Sequence, residues 1–407
     1  TGDGGFLFAR FAAPILLKGV TIIGSTSKLG GGGGIAVYSS RIALFMMKIT
    51  QCQAGKNGGG AILLDQGAEA HLVDVDLHNN LATSSGGHIR VAASSLIVHS
   101  HLHILTWPVQ EPVFPNPVTL WALVGATSMT QGATSISGGA ISCIASSSEK
   151  VVTIYDSEQS GSKCQSTLYK YKAGFINTVQ YLCPSKGIFL GKGTIVHESA
   201  AIKGGGAMSA TLCAVEMIDV SIVNGSTANG NGGGVLLSSD STLRVDDTTT
   251  FESNTAAQGS GGAVACQECT SMEFKGGTAF RSNVAGGSGG AIHLSSPKSP
   301  VTSAGSLFVG NTARASNGGA VNSHDANWTS LGDQFESNVA VAGSGGAFAS
   351  FDTTVRFDAT TSCTKNTALQ GGGGCLLWEP EAKNLEDEEW KTLKPFIGDM
   401  SLMTSNE

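Results

Sequence analysis

One phrase recurs through the second half of this chain: FESNTA at 251–256, FRSNVA at 280–285, FVGNTA at 308–313, FESNVA at 335–340 and a worn copy, CTKNTA, at 363–368. Each copy is followed by glycines and a short apolar run, GGAVAC, GGAIHL, GGAVNS, GGAFAS and GGGCLL. Anchoring on the last glycine gives Gly262, Gly290, Gly319, Gly346 and Gly374, with steps of 28, 29, 27 and 28. A period that steady means a repeat architecture, in which each unit contacts only its neighbours.

The same anchor is found upstream at Gly234, Gly206, Gly139, Gly87, Gly60, Gly34 and Gly5, with two long steps of 52 and 67 residues. The first long step reads as two coils with the middle anchor lost, the second as two coils plus an insertion. Together they predict about fourteen coils of 27–29 residues. The residue two places after every anchor is apolar, from Leu7, Ala36 and Ile62 through Leu236 and Val264 to Leu376. Alternation after a glycine corner is the mark of a short strand with one buried face. Leucine-rich units need leucines at several fixed offsets, which are missing. With 56 glycines in 407 residues, a helical solenoid is disfavoured. A parallel β-solenoid remains, with three short strands per turn.

In such a fold, equivalent residues stack at about 4.8 Å. Phe251, Phe280, Phe308 and Phe335 should form a file of rings in the core. Asn254, Asn283, Asn311, Asn338 and Asn366 should form a file of amides at a corner, because an amide both donates and accepts. These residues are read as structural.

The paired GGA[I/V/L] and FxxN motifs resemble the polymorphic membrane protein repeat, found in the surface autotransporter adhesins of chlamydiae and in large proteins of algae and other microbes. The likeness is close over 251–376, moderate over 204–250 and partial before 140. It implies an all-β, single-stranded right-handed parallel β-helix displayed outside the cell, often in adhesion. Chlamydial members end in an outer-membrane β-barrel, which this sequence lacks. The chain is therefore expected to be a processed passenger, an excerpt or a eukaryotic relative.

The expected organisation is β-helix coils over 1–100, irregular coils with a Pro-rich loop and an inserted segment over 101–203, regular repeats over 204–378, and an acidic cap or linker over 379–407. The prolines of TWPVQEPVFPNPV suit a loop, since proline cannot donate to a ladder. In the tail, Leu385, Trp390 and Leu393 could stripe a short helix that covers the last coil. The chain opens directly on Gly4–Gly5 without Met, so it is expected to lack its true beginning.

Net charge is −7 with 14% charged residues, a balance that argues against nucleic acid, which asks for clustered Lys and Arg. No apolar run reaches the length of a membrane-spanning helix. Of the nine cysteines, Cys164 and Cys183 flank the insertion and are the candidate disulfide. Cys363 and Cys375 occupy the Phe and Ala slots of one coil and read as small buried hydrophobes. Cys266 and Cys269 form a lone CxxC, read as a core thiol plus a turn thiol or a strained local bridge. The odd count leaves at least one free sulfur.

Catalysis on polysaccharides would need two placed carboxylates. Asp74/Asp76 and Asp246/Asp247 are the candidates, but neither pair lies in the NTD, DD, GHG and RIK set of the polygalacturonases. His99, His101 and His103 alternate along one strand and are the metal candidate, although side chains 6–7 Å apart rarely converge on one ion. No cofactor is expected. The sequons at Asn327 and Asn224 are candidate glycosylation sites, Asn327 the better. The sequence thus predicts a non-enzymatic extracellular or cell-surface rod, an adhesin or filament element, whose partners are proteins, surface glycans or neighbouring copies. The alternative is a carbohydrate-active enzyme or carbohydrate-binding module of the pectin-lyase-like class.

Overall fold

Each turn of the chain starts from a glycine pair whose two members are needed for different reasons. Gly318 has φ +70°, and a Cβ there would lie 2.1 Å from the carbonyl oxygen of Val321. Gly319 needs no unusual φ, but its Cβ would lie 2.0 Å from the carbonyl oxygen of Gly346 in the next turn. The first glycine bends the chain and the second lets successive turns touch. A four-residue strand follows, Val321–His324, with Val321 and Ser323 buried and His324 exposed. The chain then runs through Trp328–Leu331, Gln334–Glu336 and Val339–Ala340 before the next glycine pair. Asp325, Gly332 and Ser337 punctuate these strands, all with φ between 51° and 69°. A turn thus has four short strands and four left-handed corners, against the three strands expected.

The structure is a computed structural model that describes residues 2–98, 127–145, 187–379, 396–397 and 403–404, apart from single positions 135, 192, 228, 247 and 353. The described residues form a parallel β-solenoid without helix. The strands after the glycine pairs make a sheet of twelve, and the two-residue strands before them make a sheet of eleven. The remaining strands make two ladders that join into one bent sheet through the ten-residue strands Arg41–Thr50 and Glu69–His78. Left-handed residues Met46 and Asp74 mark the bend.

The long sequence steps are not extra coils. Ile89 pairs directly with Ile141, and Ile141 with Met208, so each step contains a single turn. Twelve rungs replace the fourteen expected, a stack of roughly 53 Å at the parallel-strand spacing. Two anchors also shift by one residue. Ile35 pairs with Ile62 and Val235 with Val264, so the true anchors are Gly33 and Gly233. A third glycine, Gly34 or Gly234, fills the usual alanine slot in those turns. Ala36 and Leu236, read as inward from sequence, therefore belong to the outer face.

The tail contributes strand: Phe396–Ile397 pairs with Arg356 and Phe357, and Met403–Thr404 with Cys363 and Thr364. The stretch expected to be helical, before Pro395, lies outside the described residues.

One continuous apolar core runs from Ile22 to Cys375. Phe251, Phe280, Phe308 and Phe335 stack within it at ring separations of 5.0, 4.8 and 4.7 Å, with interplanar angles of 5–6°. The file ends on Cys363, which pairs in register with Phe335. Cys363 is bonded to Cys375, so these two are not separate buried thiols. They occupy the slots that hold Phe335 and Ala347 in the preceding turn. Cys266 is bonded to Cys269, and Cys143 to Cys213 of the following turn. Cys52 is free and buried.

Candidate functional site

The asparagine file is the most fully bonded feature of the solenoid. Asn254, Asn283, Asn311, Asn338 and Asn366 are all 0% exposed. The Asn283 Nδ2 donates to Asn311 Oδ1 at 2.9 Å and to the Phe251 carbonyl at 3.0 Å. Its Oδ1 accepts both the Asn254 side-chain amide and the Asn254 backbone N–H, each at 3.0 Å. Every donor and acceptor is used, which is the condition for burying an amide. Nothing is left over to bind a ligand.

Asn80 and a file of hydroxyls escaped the sequence reading. Asn80 occupies the same slot, donating to the Ile49 carbonyl and accepting from the Cys52 N–H. Its turn carries Leu77 where later turns carry Phe. The following turn has Gly132 in the Asn slot, and the buried ring of His88 fills the gap: Asn80 Nδ2 donates to His88 Nδ1 at 3.0 Å. Burial pushes His88 down to about 3. A hydroxyl file runs along the bend, with Thr249, Thr278 and Ser306 at 0–1% exposure. Thr249 Oγ1 donates to the Asp246 carbonyl and Thr278 Oγ1 to the Lys275 carbonyl. Asp333 holds this slot in the next turn; its carboxylate accepts from the Ser306 N–H at 2.7 Å and from the Ser330 hydroxyl at 2.5 Å. Burial pushes its carboxyl up to about 6.

Of the candidate carboxylate pairs, the described members lie at the bend and in ion pairs. Asp74 sits at the bend with φ 54°, and Asp76 beyond it pairs with Lys48 at 3.6 Å. Asp247 lies outside the described residues, and Asp246 is held by Arg244 Nη2 at 2.8 Å. The chemistry gathers instead around Glu216, which shares an outward column with Arg244 and Glu273. Glu216 is 7% exposed, its Oε2 has no hydrogen-bond partner, and burial pushes its carboxyl up to about 7. A carboxyl raised by burial beside a second carboxyl is an arrangement that acid and base catalysis uses. Here Arg244 lies between them, with Nε 4.0 Å from Glu216 and 3.9 Å from Glu273. The guanidinium is within ion-pair reach of Glu216, Asp246 and Glu273, and the group reads as an ion-pair network.

His99, His101 and His103 lie outside the described residues, as do Cys164 and Cys183. Another potential ligand group stands at an exposed corner, where His324, Asp325 and Asp352 converge. Its imidazole places Nδ1 3.3 Å from Asp325 and Nε2 3.9 Å from Asp352. The three ligand atoms lie within 4.8 Å of one another, at an exposed corner. Both sequon asparagines are exposed; Asn327 Oδ1 accepts the Thr354 N–H at 3.0 Å, and Asn224 sits at a left-handed corner.

Comparison with protein-family models, with curated proteins and with solved structures found no match for this chain.

Proposed function

We propose that the chain is an extracellular or cell-surface structural element of the polymorphic membrane protein repeat type, a stiff rod that serves adhesion or builds a surface filament. The observation that carries this reading is covalent. Six of the nine cysteines form three disulfides inside the described coils. Bridges of this kind form and persist in oxidising compartments. The rest of the architecture supports the same role. Saturated amide bonding and stacked rings hold successive turns together between 251 and 366, so that part of the body resists bending and local opening, and the chain between 98 and 127 and between 145 and 187 leaves the ladder unbroken. Segments inserted into a rigid scaffold are where recognition tends to reside.

The test is the thiol state in the cells that make the protein. Alkylation at lysis followed by mass spectrometry should find these six cysteines protected, and surface labelling should tag the chain. Free, alkylated Cys266 and Cys269 would remove the support for an external location. The rival, a carbohydrate-active β-helix, would have to work through Glu216 and Asp246; turnover on a panel of glycans, lost in Glu216→Gln, would replace the structural reading.

A further inference from the structure

Two carboxylates stand one turn apart at the corner that follows the twelve-stranded sheet. Asp325 comes directly after the strand Val321–His324, and Asp352 directly after Phe348–Phe351. Both corners are left-handed, with φ 51° and 57°. His324 pairs in register with Phe351, so the two aspartates hold equal places in successive turns. Equal places lie about 4.8 Å apart, and like charges set opposite one another destabilise a sheet. The three preceding turns carry Ser239, Glu268 and Ser296 at this corner, where no two acids are adjacent. Among the described residues, the ion pairs of Asp325 and Asp352 are with His324 alone. A neutral imidazole does not offset two negative charges; a divalent cation does.

The distances and the donor types agree with such an ion. His324 Nδ1 lies 3.3 Å from Asp325 Oδ2. Zinc bonds of about 2.0–2.1 Å put tetrahedral neighbours roughly 3.3 Å apart, so this pair is already at ligand spacing. One donor atom from each of the three residues lies within 4.8 Å of the other two, and a rotation of the Asp352 side chain completes the set. The Ser296 hydroxyl donates to Asp325 Oδ2 at 3.2 Å, and the Phe351 ring lies beside the imidazole at 6.2 Å. Contacts of this kind orient metal ligands. One imidazole with two carboxylates suits zinc and its first-row neighbours, whereas calcium and magnesium take oxygen ligands.

We propose that His324, Asp325 and Asp352 bind one divalent transition-metal ion, for which zinc is the probe. The ion would clamp two turns of the solenoid at their corner. Three protein groups leave the fourth tetrahedral position open to a ligand from outside the chain, and the half-exposed His324 and Asp325 side chains leave that position accessible.

Calorimetric titration of the full chain with zinc chloride at neutral pH, repeated with calcium chloride, tests this. The parent should bind zinc and not calcium at the corner. His324→Gln and Asp352→Asn should each lose one zinc ion per chain. Asp352→Asn relieves the repulsion between the carboxylates, so in chelator it should melt no lower than the parent. Zinc should raise the melting temperature of the parent by more than that of either variant. His101→Ala, in the histidine run outside the described residues, should keep the ion that the two corner variants lose. Equal zinc stoichiometry in the parent and both corner variants overturns the proposal, as does loss of the ion in His101→Ala alone. Calcium bound as tightly as zinc overturns it too, since the imidazole would then play no part.

Discussion

Asn311 and Asn338, in adjacent turns, share one oxygen: Asn338 Oδ1 accepts the Asn311 backbone N–H at 3.0 Å and its side-chain amide at 2.9 Å. Removing the Asn311 side chain takes away an acceptor that serves Asn283 and a donor that serves the Phe280 carbonyl. Buried partners left unsatisfied cost about 1–3 kcal/mol each. Asn311→Ala should therefore lower stability by roughly 3 kcal/mol or more in urea denaturation. Asn311→Asp should be at least as damaging at neutral pH, because a carboxylate keeps the acceptors and loses both donors. A midpoint within error of the parent for either variant would mean the file is not what binds turn to turn.

Phe308 lies between two parallel rings, Phe280 at 4.8 Å and Phe335 at 4.7 Å. Neighbours held by their own ladders cannot collapse into the space it fills, so Phe308→Ala should cost ~3–5 kcal/mol. Phe308→Leu, which keeps most of the volume, should cost less than half of that. Thermal melts of the two variants decide this; equal losses would show that ring stacking, and not volume, is what matters.

Two glycines separate backbone strain from close packing. Gly310 has φ +64°, yet a Cβ there meets only Ser282 Oγ at 3.8 Å, and Ser253, Ser282 and Ser337 take similar φ values at the same corner. Gly310→Ala should cost about 1 kcal/mol. Gly319→Ala drives a methyl into the backbone of the next turn and should prevent folding or push the protein into aggregates. Soluble, native-like Gly319→Ala would refute the packing account.

These contrasts also explain what could be read from the sequence. The Phe and Asn files were legible because both residue types recur at one period and flank the same glycine corner. Asn80 was not, since Leu77 stands where the motif requires Phe. The hydroxyl file mixes Thr, Ser and Asp, so no single letter repeats. The step of 52 residues happens to approximate two repeats and that of 67 two repeats plus an insertion, and only the pairing of Ile89, Ile141 and Met208 shows that each contains one turn. Disulfide partners were hidden because Cys363 and Cys375 meet across a coil whose cross-section the period alone does not give. Glu216 stood in a column with no repetition, and its burial is a property of the folded surroundings.

The three bridges should differ in weight. Cys143 and Cys213 are 70 residues apart and enclose the segment after Ala145, whereas Cys266 and Cys269 are separated by 3. On the loop-entropy account, closing the longer loop stabilises by about 4 kcal/mol and the shorter by under about 2 kcal/mol. Replacing Cys143 and Cys213 together by Ser should lower the melting temperature more than the same change at Cys266 and Cys269. The reverse order would argue that the short bridge relieves an otherwise unfavourable corner.

Two buried titrating groups should shape the pH dependence in opposite directions. His88 has its folded value pushed from 6.5 down to about 3 by burial, which outweighs the bond to the Thr130 backbone. The unfolded chain then takes up the proton first, so stability is retained above pH 6.5 and falls as the pH drops from there toward 3. Asp333 behaves inversely: burial outweighs the bonds from Ser330 and Ser306 and pushes its carboxyl from 3.8 up to about 6. Its contribution is full below 3.8 and is lost as the pH rises through 6, leaving a buried charge at neutrality. Asp333→Asn keeps the shape, accepts from the Ser306 N–H and donates to Ser330 Oγ without that charge. It should raise stability at pH 8 by ~1–3 kcal/mol and change it little at pH 3.5. Denaturant titrations of the two proteins across this range test the sign. A variant less stable than the parent at pH 8 would mean that the ionised carboxylate holds the bend together and that its hydrogen bonds outweigh the burial.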